Sequence, residues 1–306
     1  MKIREILHPT DLSGCSEQAL AHGVAWARRH GARLHVLHVV EFDEESPASP
    51  VFEEEERERV RAEARERATA EIERTLDDHG ALDLVAGIDV VWALSAARAI
   101  VERAGEGIDL IAMGTHGRTG FRALLIGSVT DEVIRATPCP VLAVRESHQP
   151  RPLTEPRRIL VPIDFSPAAE EAIRTARELA GDSEARITLL HVVEQAIVPD
   201  FYYPVSGSLF LDVPELRSDA EDQLRRLWER AGGSDVPVEF RVTEGWSGST
   251  IPRFAEENGI DLVVMPTHGL RGVERLLLGS TTDKVVRRTP CPILVMRPDG
   301  AEPEEG

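Results

Sequence analysis

The residues of this sequence best suited to chemistry are Gly114-Thr-His-Gly117 and, after nine intervening residues, Gly127-Ser128. An apolar run, Ile108 to Met113, leads in, and a helix-like run, Val129 to Ala136, follows. Glycine lets a backbone approach a ligand closely and admits φ > 0. The first amides of a helix have no acceptor inside it and point outward with partial positive charge. A strand, a glycine-punctuated loop and a helix start therefore suit an anion, and Ser128 adds a hydroxyl. The chemistry expected is phosphate binding, as in a nucleotide. The spacing recurs in Pro266-Thr-His-Gly269, nine residues, then Gly279-Ser280. Neither copy is a Gly-x-x-x-x-Gly-Lys-Ser/Thr loop or a Gly-x-Gly-x-x-Gly fingerprint. One copy alone reads equally well as a turn between strand and helix.

Other reactive side chains carry less. His116 and His268 have no carboxylate or nucleophile at a recognisable spacing, and a general base needs geometry before pKa. His38 and His191 fall in strands and read as core residues with satisfied ring nitrogens. Gly245-Trp-Ser-Gly-Ser is not the Gly-x-Ser-x-Gly nucleophile elbow. Cys139 and Cys291 precede apolar strands and read as small fillers. With Cys15 they make three cysteines, without a Cys-x-x-Cys pair, so neither a full disulfide set nor a metal cluster is expected. No catalytic residue is assigned.

The chain has 306 residues, enough for two domains, with 42% apolar residues to fill a core in each. Its formal charge is −18, from 53 acidic and 35 basic residues. That balance argues against nucleic acid or an anionic membrane as partner. No apolar run reaches about 18 residues, the length of a membrane-spanning helix. The first residues, Met-Lys-Ile-Arg-Glu-Ile-Leu-His, lack a signal-peptide core, so a cytoplasmic location is expected.

The positioning elements follow from periodicity. Ile3 to His8 reads as a buried strand ending at Pro9-Thr10-Asp11, and Glu17 to Arg29 as a helix stopped by Gly31. Arg33 to Val40, Val85 to Ala93, Ile108 to Met113 and Val141 to Arg145 read as strands. Ala96 to Ala104 reads as a helix. So does Glu53 to His79, on a stripe of Val60, Ala64, Ala68, Ile72 and Leu76. The order β-α-β-α-β-α-β-α-β implies a doubly wound parallel sheet with helices on both faces. The pattern then restarts. Asp11 recurs as Asp164, 153 residues on, and Gly127 recurs as Gly279, 152 residues on. The expected class is α/β, two tandem five-stranded domains related by duplication. Residues 1–147 and 157–298 form the domains, 148–156 the linker and 299–306 an acidic tail. Asp200 to Phe210 is an aromatic stretch holding both tyrosines, read as an edge-covering loop, a lid or a partner surface.

In combination, the Gly-x2-Gly-x9-Gly-Ser spacing, the Pro-x-Asp strand end and Thr-Pro-Cys-Pro before the last strand resemble the universal stress protein (UspA-like) family. The resemblance covers nearly the whole chain as two tandem domains and implies an adenine-nucleotide-binding α/β fold. Some members bind ATP or AMP and others bind no nucleotide. By that resemblance Pro9, Thr10 and Asp11 sit at the nucleoside end. Val39 and Val40 line the adenine pocket, and Met113 and Gly114 flank the sugar. Gly117, Gly127, Ser128 and Val129 hold phosphates through amides, with the Ser128 and Thr130 hydroxyls adding donors. A weaker second site comprises Pro162, Asp164, Val192, Met265, Gly269, Gly279, Ser280 and Thr281. There Pro266 replaces a glycine and Ile163 replaces Thr10. Proline has no N–H and a fixed φ, so binding suffers if the loop needs either an amide or φ > 0 at that point.

Domains of this family pair through the last strand, which implies an internal pseudo-dimer and leaves a homodimer open. The expected role is a cytoplasmic stress-response protein binding ATP, ADP or AMP, more strongly in the N-terminal half, with Mg²⁺ on the phosphates. Hydrolysis, if any, would be slow. A nucleotide-free interaction module and a weak nucleotide hydrolase stay open as alternatives.

Overall fold

The computed structural model describes residues 1–42, 53–116, 126–146, 152–181, 184–194, 213–233, 236–267 and 279–297. Gly117, His268, Gly269, the aromatic stretch and the acidic tail lie outside the described residues. The first half runs β1 (Glu5–Thr10), α1 (Gly14–His30), β2 (Arg33–Glu41), α2 (Glu54–Asp78), β3 (Val85–Ala93), α3 (Ala96–Ala104), β4 (Leu110–Gly114), α4 (Ser128–Ala136) and β5 (Val141–Val144). The second repeats it as β6 (Arg158–Ile163), α5 (Pro167–Ala180), β7 (Arg186–Val193), α6 (Val213–Arg230), β8 (Val238–Glu244), α7 (Ser247–Glu257), β9 (Leu262–Pro266), α8 (Ser280–Arg288) and β10 (Ile293–Met296).

The strands form one ten-stranded sheet in the order β3-β2-β1-β4-β5-β10-β9-β6-β7-β8. Neighbours are parallel except at the centre, where β5 and β10 run antiparallel with Val141 to Ala143 facing Val295 to Ile293. The last strands of the two halves therefore join them, as expected. Because side chains alternate across a strand, each strand feeds two cores. Ile6, Leu34, Leu110, Leu142, Leu294 and Ile159 pack on one face beneath α1, α2, α5 and α6. Leu7, Leu37, Ile111, Val141, Val295 and Val263 pack on the other beneath α3, α4, α7 and α8. Both layers continue across the joint. On the first face, Arg29 also donates from Nη2 to Leu179 O at 2.7 Å, tying α1 to α5.

Local chemistry sets the element ends. Helix α1 begins earlier than its apolar pattern predicts because Ser13 caps it, its hydroxyl accepting from Ser16 N. It stops at Gly31, in the left-handed region at φ 63°. Helix α2 buries only Ala68, Ile72 and Leu76 of its predicted stripe. Towards its N-terminus it lies over β3 through Arg61 and Arg65, whose guanidinium groups sit 5.5 and 5.0 Å from the Trp92 ring centre.

Pairing between β1 and β4 covers only Ile6 and Leu7, whereas pairing between β1 and β2 continues through Pro9 to Thr10. Proline offers no N–H to a ladder, so β1 and β4 separate ahead of it. Pro162 sits at the same point of β6, and there pairing with β9 stops at Leu160. Each half thus has a crevice at its carboxyl edge where the strand order reverses, the place where open α/β sheets bind ligands.

Candidate functional site at the carboxyl edge

In the first half the β1 end is a fixed polar corner. Asp11 Oδ1 accepts from Ser13 N at 3.1 Å and from Ser13 Oγ at 2.6 Å. Leu12 between them is in the left-handed region at φ 62°, as is Phe165 at the same corner of the second half. Thr10 Oγ1 accepts from Leu12 N at 3.1 Å and shares a hydroxyl–hydroxyl hydrogen bond with Ser16 Oγ at 2.9 Å. Behind Ser16, 3.4 Å away, lies Nε2 of His8, whose Nδ1–H donates to Ala112 O at 2.9 Å. Burial lowers the His8 pKa to about 4, so the ring is neutral. The chain from β4 through His8 and Ser16 to Thr10 was missed in the sequence. Its only signal there was a histidine inside an apolar strand, followed by serines at positions 13 and 16.

On β2, His38 Nδ1–H donates to Thr10 O at 2.8 Å, and His191 does the same to Ile163 O. Both are half-buried, at the edge of the sheet. Val39 and Val40 beside His38 are partly exposed. Met113 is buried at the end of β4. A Cβ on Gly114 would stand 2.8 Å from Cys15 Sγ and 3.1 Å from Cys15 O. Gly114 is thus glycine because the first turn of α1 lies directly against it.

The end of β4 and the start of α4 are tied together. Gly127 N donates to Thr115 O at 2.8 Å, and Thr115 N donates to Val144 O. Gly127 has φ −61°, and a Cβ there would make ordinary contacts with Thr115 O at 3.5 Å and His116 Cα at 3.9 Å. Neither φ nor packing demands glycine; its effect is to leave the start of α4 without a covering side chain. Ser128 is exposed and Val129 partly so, in a first turn whose amides have no acceptor within the helix.

Two donor roles differ from expectation. The Thr130 hydroxyl is buried and donates to Gly114 O at 2.8 Å, and the Gly127 amide is held by Thr115 O. Both close the turn. What the turn has left to donate is the exposed Ser128 hydroxyl and the first-turn amides, which lack an acceptor inside the helix.

The second half repeats the backbone with fewer polar groups. Asp164 Oδ1 accepts from Ser166 N at 3.0 Å. Val161, Ile163 and Ala169 stand where His8, Thr10 and Ser16 do, and Ser166 Oγ is buried with no hydrogen-bond partner among the described residues. Pro162, Val192 and Met265 line β6, β7 and β9 as their counterparts do, the last two buried. Pro266 sits in β9 without disturbing it. Thr267 N reaches Met296 O at 2.8 Å, Gly279 N reaches Thr267 O at 3.0 Å, and Thr282 Oγ1 donates to Pro266 O at 3.1 Å. Gly114 is not a positive-φ position, so the expected conformational penalty of Pro266 does not arise; only the missing N–H remains. Ser280 is exposed and Thr281 partly so at the start of α8.

His116 Nδ1 is within 2.8 Å of Thr115 Oγ1, which turns that nitrogen inward. A separate cavity of about 90 Å³ lies between β1, α1 and α2, lined by His8, Thr10, Glu17, Glu71 and Thr75. It is several-fold smaller than the roughly 300 Å³ at which small-molecule sites begin. Among the described residues, no helix is long and apolar enough to cross a membrane, and no group of three metal-capable side chains is assembled.

Known proteins place this arrangement. The universal stress protein family matches residues 2–145 and again 155–297. A universal stress protein of Methanocaldococcus jannaschii is 31% identical over 141 residues, covering 46% of this chain and 82% of that protein. The universal stress protein E homolog of Haemophilus influenzae is 24% identical, with 97% of this chain and 98% of that protein covered. A universal stress protein structure from Archaeoglobus fulgidus shares the fold across 97% of each chain, with a TM-score of 0.68 at 22% identity. Two glycine-gated crevices on one duplicated, doubly wound sheet are thus a tandem arrangement, and the chain belongs to the universal stress protein family.

Proposed function

We propose that the chain binds an adenine nucleotide, ATP, ADP or AMP, at the carboxyl edge of its sheet, more strongly in the N-terminal half, and serves a cytoplasmic stress response through it. The observation that carries this reading is the bare start of α4. Among the described residues Gly127 is not required there by backbone or packing, and it puts no side chain beside the first-turn amides of α4, which lack an acceptor inside the helix. Such amides at a strand exit suit a phosphate. Pro9, Thr10 and Asp11 would meet the nucleoside, Val39 and Val40 the base, and Met113 and Gly114 the sugar. Gly117 would add a phosphate amide.

The bias between halves rests on two differences. Thr10 has a hydroxyl to offer and Ile163 has none; Gly114 has an N–H and Pro266 has none. Losing one hydrogen bond to a charged group costs about 1.5–3 kcal/mol, roughly tenfold to a hundredfold in affinity. Mg²⁺ would be carried by the phosphates. The role proposed is binding, with hydrolysis at most slow.

We take residues 1–147 and 157–298 as the two binding domains, joined by 148–156. Because β5 and β10 already pair within the chain, a homodimer would use another surface. The test is native mass spectrometry of the purified chain with added ATP. One tightly bound nucleotide is expected, lost in Gly117→Val with Gly127→Val. Undiminished binding in that double variant rejects the assignment.

A further inference from the structure

Among the described residues, three large apolar side chains stand out into solvent: Leu82 at 50%, Leu94 at 76% and Trp246 at 61% exposure. Leu94 and Trp246 occupy the same position of the repeat, 152 residues apart, one residue past the end of β3 at Ala93 and two past the end of β8 at Glu244. Both therefore stand at the carboxyl edge, next to the strand that carries Val39 and Val40 or Val192 and Val193. The register is close: Val40 pairs with Trp92 and Val193 with Glu244.

The backbone holding Trp246 is fixed. Glu194 Oε1 accepts from Ser247 N at 2.9 Å, as Glu41 Oε1 accepts from Ala96 N at 2.8 Å. Gly245 takes φ 140° and has no room for a Cβ, which would lie 2.5 Å from Thr250 Oγ1. The Trp246 carbonyl accepts from the Ser249 and Thr250 amides, both at 2.9 Å. A large ring is thus presented to water from a rigid corner. The same edge of the second half carries Phe165, packed on His191 with ring centres 4.6 Å apart and planes tilted by 45°, where the first half has Leu12.

We propose that Trp246 is a base-stacking residue of the second crevice, taking the flat face of a purine bound there. This rests on the nucleotide reading of the carboxyl edge and deepens it. The first half recognises its ligand with hydroxyls and amides. The second, with Ile163 and Pro266 in their place, recognises a planar heteroaromatic ring with aromatic surface. Leu94 offers the first crevice a wall without a π-face. Stacking is tolerant of base identity, since every base has a flat face, so the second crevice discriminates less among nucleobases than the first.

The test is titration of the full chain with AMP and, as a probe lacking the base, ribose 5-phosphate, in a Gly127→Val background that silences the first crevice. Trp246 is the one strongly exposed tryptophan, Trp26 and Trp228 being buried and Trp92 half-covered by α2, so AMP should change the emission of the wild-type protein. Trp246→Ala should weaken AMP about tenfold and leave ribose 5-phosphate unchanged, while Trp246→Phe should stay within about twofold. Equal AMP affinity in Trp246→Ala, with AMP still bound, overturns the stacking role and leaves the nucleotide reading standing. No AMP binding by the unmodified wild-type chain at millimolar concentration overturns both.

Discussion

Gly114→Ala offers a way to separate packing from ligand binding at the glycine most naturally assigned to a ligand. The added methyl would stand 2.8 Å from Cys15 Sγ, 3.1 Å from Cys15 O and 3.2 Å from its carbonyl carbon. Cys15 is buried, with Sγ 3.7 Å from Val144 O, so the thiol cannot simply swing aside. Overpacking of this kind costs about 1–3 kcal/mol, and we expect a loss near 2 kcal/mol in urea unfolding, seen as a lower midpoint at unchanged slope. Cys15→Ala removes the closest atom but leaves the backbone contacts. The double variant should therefore regain about half of the loss, a coupling of about 1 kcal/mol between residues in contact. The second half supports the pairing, since Pro266 there faces a helix start in which Ala168 stands in place of cysteine. If Gly114→Ala is as stable as wild type, or if its effect merely adds to that of Cys15→Ala, the packing account is wrong and the glycine serves the ligand.

Further expectations follow from the contrast between halves and from the buried histidines. Ser13→Ala removes a used helix cap and should lower stability by about 1 kcal/mol, whereas Ser166→Ala removes a buried hydroxyl with no partner among the described residues and should be neutral or stabilising in the same urea assay. His8 and His22 both have folded pKa values of about 4, lowered by burial from 6.5. Protons therefore bind the unfolded chain first, and stability should fall as pH drops from about 6.5 to 4, by up to roughly 3 kcal/mol per histidine. His22→Gln should flatten that slope in pH-dependent unfolding; an unaltered slope refutes the assignment. Thr10→Val should weaken ATP about tenfold by calorimetry, while Thr281→Val should leave the tighter site untouched.

Much of the architecture was legible because the chain repeats itself. Alternating apolar runs marked the strands, Gly31 marked a helix stop, and the return of Pro-x-Asp marked the second half. Element ends were harder. Ser13 reads as part of a turn until its hydroxyl is seen to cap Ser16, which moves the start of α1 to Gly14. The predicted stripe on α2 is apolar along its length, yet its N-terminal part rests on Trp92 through arginines, a contact that hydrophobic periodicity does not weigh. At the site, spacing identified the loop but not the duties within it. Thr130 and Gly127 close the turn inward, and Gly114 answers to Cys15, a residue far away in sequence. Pro266 looked damaging because it lacks an N–H and because glycine suggests φ > 0, and only the structure shows that Gly114 is a β4 residue without positive φ.

The antiparallel meeting of β5 and β10 puts the carboxyl ends of the two halves, and so the two crevices, on opposite edges of the sheet. Both halves belong to one chain, so dilution does not dissolve their contact as it would a pair of separate subunits. Neither crevice is bound to be a copy of the other. One keeps its hydroxyls while the other has an exposed ring at its edge, and if both bind as proposed, a single molecule would answer to two ligands at separate crevices.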